Sequence, residues 1–287
     1  MTTQASDEIN TIERHDFWRY GLTIFLVIIF MIFAQIGVFG IAYLFEGNFD
    51  IFSFAPITLL WVSMTPFGAA LMILLICVRF LHKIQIKNFF TSKKFFSWKY
   101  LLISAAIWFF LAVLSDVFLS FIQKDNYQFA FNAKTFFPFL FSTLLLVPIQ
   151  ITAEESFFRG YLQPGFTRLT RQPWLGVILQ AILFGLLHGA NTEVSIYGVL
   201  TTMPFYIGIG LLLGIITRKY LGLEEALGLH LANNIYASLI VSFSGSSIES
   251  PALFMIKNYQ PVMSLILFFI TGIIYYFILQ YIHSRES

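Results

Sequence analysis

The chain has 287 residues, of which 58% are hydrophobic and only 11% charged, and its mean hydropathy is +0.79. A soluble domain carries about 25% charged residues, so this chain lacks the polar surface to cover itself with water, and lipid is its natural solvent. A net charge of +2 excludes the strongly basic field that a nucleic-acid binder presents.

A bilayer core of about 30 Å takes roughly 20 apolar residues as helix. Long continuous runs, rather than alternating ones, favour helices over a barrel. Eight runs predict an all-α, polytopic bundle of about eight transmembrane helices, at 17–45, 56–80, 100–122, 136–160, 174–190, 197–217, 226–243 and 261–282. The first follows a polar stretch with Asp7, Glu8 and Glu13 and no small-residue cleavage site, and reads as a retained helix rather than a signal peptide. The second holds the lone Cys77, which excludes an internal disulfide. The third carries Asp116 within its apolar run. The sixth holds Gly210 and Gly214, spaced for close helix approach. The 35 Phe residues are expected to face lipid, and His15, His82 and His283 fall at span ends, where water is expected to reach them.

Cations divide unevenly between the two sets of loops. Only three of the 17 Lys and Arg residues, Lys124, Lys134 and Lys257, belong to the odd-numbered loops. Cationic loops stay in the cytoplasm. Both termini are therefore expected there, in a plasma (inner) membrane, with an even number of spans.

Three short patterns place ionisable groups in or near apolar runs, where such groups are expensive and tend to mark function. In the fourth span, Glu154-Glu155-Ser-Phe-Phe-Arg159 puts Glu155 and Arg159 one turn apart, as an ion pair would be. Glu154 is turned about 100° away from them and lacks that partner. In the fifth span, Phe184 and His188 share a face, and in the seventh His230 and Asn234 do so while Asn233 points elsewhere. A solvated ion pair, a structural histidine and interhelical hydrogen bonds would explain each pattern singly. Glu224 and Glu225 suit a helix's first turn, where the dipole favours acids.

Taken together and in this order, EExxxR, FxxxH and HxxxN resemble the CPBP family of intramembrane proteases, which includes type II CAAX prenyl endopeptidases and bacteriocin-processing, Abi-like proteins. The match covers roughly 136–245 and suggests three segments: three N-terminal helices over 1–135, a catalytic core over 136–245, and a C-terminal helix and tail over 246–287. The resemblance implies that Glu154 activates water, that His188 and His230 bind or polarise it, that Asn234 steadies the oxyanion, and that Glu155 and Arg159 support them. A carboxylate, two imidazoles and an amide supply an activated water and oxyanion donors. Glu154, His188 and His230 would equally suit a zinc ion with an open position, so Zn2+ and a metal-free route both stand. The expected activity is a membrane-embedded endopeptidase reached from the cytoplasmic side, acting on a peptide or lipidated protein near the surface. The rival is a non-proteolytic membrane protein: an immunity factor, a scaffold, or a proton-coupled transporter using Glu154 and Asp116.

Depth sets a condition on the site. His188 lies about 21 Å along its helix from Trp174, whereas His230 opens its own span. The two meet only if the fourth helix runs past Arg159 and the fifth begins below the membrane or tilts, with 163–173 forming an interfacial elbow.

Overall fold

The computed structural model describes residues 16–247 and 250–285; Asp7, Glu8, Glu13, Arg14 and His15 lie outside the described residues. In chain order the elements are α1 (Phe17–Glu46), α2 (Pro56–Ile76), α3 (Ile86–Phe90), α4 (Trp98–Ile122), β1 (Tyr127–Phe129), α5 (Ala133–Glu155), α6 (Gln163–Thr170), α7 (Pro173–Leu187), α8 (Thr192–Tyr197), α9 (Val199–Tyr220), α10 (Glu224–Leu239), β2 (Val241–Phe243), β3 (Phe254–Ile256) and α11 (Pro261–Ser284). This is an all-α bundle of an integral, multi-pass membrane protein. Local sequence sets the helix ends. Asn132 accepts from the Lys134 backbone N–H to cap α5, Pro56, Pro173 and Pro261 open α2, α7 and α11, and Gly47 ends α1 in the left-handed region at φ 71.

Each of the eight expected runs is helical, and among the described residues six helices are long and apolar enough to cross a bilayer. These are α1, α2 with its extension to Leu81, α4, the continuous Ala133–Thr170 helix, α9 and α11. The other two, α7 and α10, have 15 and 16 residues, about 22–24 Å of helix, less than a bilayer core. Phenylalanines line the outside, among them Phe25, Phe33, Phe110, Phe121, Phe141 and Phe277. α10 is the centre of the bundle, packed on α4, α5 and α9. Gly210 lets α9 approach α7 so closely that an added Cβ would lie 3.0 Å from the Ala181 Cα.

The bundle has two distinct ends. At one, Arg19 donates to the Leu81 carbonyl at 2.7 Å, Thr91 pairs with Gly222, and Lys93 and His283 meet Glu225 at 3.3 and 3.1 Å. The other carries a three-stranded sheet of order β1-β3-β2, with β1 antiparallel and β2 parallel to β3. Asp116 fastens this end, accepting from Tyr127 at 2.6 Å and Tyr236 at 2.7 Å. Burial, then the adjacent Asp116, push the Tyr127 phenol up, which keeps it a donor.

Three local expectations are corrected. The segment 163–173 is no elbow: the fourth helix continues through a π-helical stretch, Ser156–Leu162, into α6, and the chain reverses only at Arg171 (φ 55) and Gln172. The widened π turns accommodate Pro164, whose missing N–H would otherwise interrupt the ladder. His82 is not wetted but fully buried, 2.9 Å from the Tyr161 hydroxyl and 3.3 Å from that of Thr23. Ile84 and Phe89, buried beyond the end of α2, extend the core there. Asn233 does not point elsewhere; it faces the same cavity as Asn234.

Candidate active site

α5 carries Gln150, Glu154 and Glu155 along one side, and the π-helical stretch that follows carries Arg159. Such π turns recur at functional positions because they re-aim side chains within a continuous helix. Here the outcome is a buried pair: Arg159 Nη1 donates to Glu155 Oε1 at 2.9 Å, and neither side chain has any exposure. The remaining guanidinium face lies 4.5 Å from the Phe184 ring centre.

His230 Nδ1 lies 2.7 Å from the same Glu155 oxygen. A carboxylate paired with arginine only accepts, so Nδ1 donates to it and Nε2 faces away from Glu155. That Nε2 stands 3.7 Å from Glu154 Oε2, which is buried and has no hydrogen-bond partner among the described residues. Glu155 thus orients the imidazole and Glu154 faces it with an open oxygen.

His188 caps the end of α7. Its Nδ1 donates to the Phe184 carbonyl at 2.7 Å, which fixes the ring's orientation and turns Nε2 away from that carbonyl. The ring is clamped between Phe184, at 4.3 Å, and Tyr206 of α9, at 4.6 Å. Phe184 therefore has a physical role in its motif. Its ring packs against Arg159, His188 and His230, and its carbonyl holds one of the two imidazoles. Asn234 donates through Nδ2 to Gln150 Oε1 at 3.0 Å and accepts from Asn233 Nδ2 at 3.1 Å, leaving its second amide hydrogen free for a ligand.

Glu154, His188, His230 and Asn234 line one cavity of about 510 Å³. Glu155 and Arg159 stand behind its wall. The depth condition is met partly by the long fourth helix and partly by α10, whose opening acids Glu224 and Glu225 are already fully buried. His230, about 9 Å further along, is well inside the bundle. Glu224 accepts from the Ser97 backbone N–H at 3.1 Å, and Glu225 joins Lys93 and His283, so the first-turn acids are also clamps. Among the described residues no three His, Cys, Asp or Glu side chains gather closely enough to hold a metal ion. The candidate ligands Glu154, His188 and His230 therefore do not fit a zinc site as arranged.

Sequence reasoning missed much of the cavity lining, including the polar residues Gln150, Asn191, Glu193 and Tyr206. Tyr206 donates to Glu193 and accepts from Asn191 at 2.8 Å. Gln150 had a legible signal, one turn before Glu154 on the same face. Asn191, Glu193 and Tyr206 had none, because they meet only when α8 folds back on α9.

Residues 132–236, the helices that carry this site, match the family described as type II CAAX prenyl endopeptidase Rce1-like. The resemblance carried by the three motifs thus holds over the segment that contains them. The chain is also 28% identical over 286 residues to the uncharacterized protein YyaK of Bacillus subtilis (strain 168), covering 94% of this chain and 93% of that one. No solved structure matches.

Proposed function

We propose that this chain is an intramembrane endopeptidase that hydrolyses a peptide bond with a water activated by Glu154, assisted by His188, His230 and Asn234. One observation carries the reading: Glu154 Oε2 is buried without a donor among the described residues, 3.7 Å from Nε2 of His230, in a cavity shared with His188 and Asn234. A water there donates one hydrogen to Glu154 and the other to His230, which turns its lone pairs to the substrate. As the oxygen bonds to the scissile carbonyl carbon, its proton passes to Glu154 and the carbonyl electrons move to oxygen. The free Asn234 Nδ2 hydrogen meets that oxyanion; one such donor is worth about 10²–10³ in rate. The C–N bond then breaks, and the leaving amine departs with the proton that Glu154 held. His188, immobilised by Phe184 and Tyr206, offers its Nε2 to a substrate N–H.

The substrate is a peptide segment, free or tethered to a lipid or a membrane span, and the protein works in the plasma membrane. Asp116 does not favour the transporter reading. Both of its oxygens are occupied by tyrosines and it does not line the cavity. The test is Glu154→Gln in proteoliposomes with a quenched fluorescent peptide library. Cleavage falls by at least about 10² with unchanged thermal stability; cleavage at the parental rate overturns the proposal.

A further inference from the structure

The cation pattern of the loops and the position of the cavity point in opposite directions from what a cytoplasmic protease requires. Twelve of the described Lys and Arg residues, from Arg19 through Lys93 and Arg171 to Arg285, sit at the end of the bundle where α1, α4, α7 and α10 begin. None of them lines the cavity. From Glu154 and His230 the cavity instead runs along the later turns of α10 to Asn191, Glu193, Ser246 and Tyr259, in the connections at the sheet-bearing end. The described cations of that end are Lys124, Lys134 and Lys257. The cationic end of a polytopic protein stays in the cytoplasm, so the mouth lies on the far side.

We infer that the site is entered from the extracytoplasmic side and takes a neutral or cationic peptide segment exposed there, rather than the anionic carboxyl end of a cytosolic protein. The second half of the inference rests on the lining. Its described carboxylates are Glu154 at the floor and Glu193 near the mouth, and Glu193 accepts from the hydroxyls of Tyr206 and Ser247, which fix its orientation. Such a cavity attracts a lysine or arginine side chain and repels a carboxylate. Which peptide is cut rests on the protease reading; the side of entry does not.

Single cysteines separate the two. Cys77 is buried and stays in place. Ser238→Cys sits in the cavity wall, Ser244→Cys on the exposed turn beside the mouth, and Gln172→Cys on the exposed turn at the basic end. Each is treated in intact cells with a membrane-impermeant methanethiosulfonate, and again after permeabilisation. The inference expects Ser238→Cys and Ser244→Cys to react in intact cells and Gln172→Cys only after permeabilisation. The reverse pattern, or a Ser238→Cys that reacts from neither side, overturns the side of entry. The same result in a Glu154→Gln background keeps this outcome independent of catalysis. A tetrapeptide amide, acetyl-Phe-Lys-Leu-Phe, should slow Ser238→Cys labelling more than its counterpart with Glu in place of Lys. Equal protection, or better protection by the Glu peptide, overturns the charge preference.

Discussion

Replacing Arg159 with Ala deletes the cation that Glu155 meets at 2.9 Å, in a place where neither side chain is exposed. Breaking a buried pair from one side costs about 3–5 kcal/mol, because the surviving charge is stranded. Among the described residues Glu155 would retain only the His230 N–H, and Phe184 would lose the guanidinium on its face. At about 2–4 °C per kcal/mol for a chain of this size, the melting temperature should fall by roughly 6–20 °C, toward the lower end if water fills the hole. Cys77, buried in the core, provides the assay: it reacts with a thiol-sensitive dye only on unfolding, which can be followed in detergent. A Glu155→Gln, Arg159→Met double variant carries no stranded charge and should recover at least half of the loss. The reasoning fails if Arg159→Ala melts with the parent, or if the double variant loses the sum of the two single effects. A stable but inactive Arg159→Ala would move the guanidinium from support into catalysis.

Asn234→Ala should lower kcat by about 10²–10³ with little change in KM; a change confined to KM would make the amide a binding group rather than an oxyanion donor. Gly228→Ala should destabilise by about 1–3 kcal/mol or more, since an added Cβ would meet the Leu101 carbonyl and the Ser104 side chain where α10 crosses α4; parental melting would show that this crossing is loose. Treatment with EDTA and phenanthroline should leave cleavage unchanged, and a loss that zinc restores would mean that Glu154, His188 and His230 regroup around an ion.

The parts of this molecule that were legible in the sequence are those whose physics is local. Apolar run length gave the helices, because a bilayer sets one length for all of them. The spacing of Glu155 and Arg159 gave their ion pair, because one helical turn fixes it. The small sheet escaped notice because three-residue strands such as Tyr127–Phe129 carry no periodicity, and the two short helices were overextended because apolar loop residues blur their ends. His82 was misjudged for a related reason. A histidine at a span end meets water only if nothing folds over it, and here the buried Ile84 and Phe89 follow close behind.

The site itself divides along the same line. Each motif is a one-turn spacing and could be read directly, but what makes the spacing useful is supplied from a distance. Glu155 is 75 residues from the imidazole it orients, Gln150 is 84 from the amide it holds, and Tyr206 stacks on His188 from another helix. Access is the least local property of all. Loop charges are the sequence's signal for which end of the bundle faces the cytoplasm, whereas the direction in which the cavity runs is visible only in the folded chain. On the inference drawn above, cytoplasmic termini and a cytoplasmic entrance do not go together, because α10 carries His230 inward and Ser238 onward to the sheet-bearing end. Of the two expectations the inference keeps the cytoplasmic termini, because a dozen Lys and Arg residues gather at one end of the bundle and such an asymmetry sets the orientation of polytopic proteins.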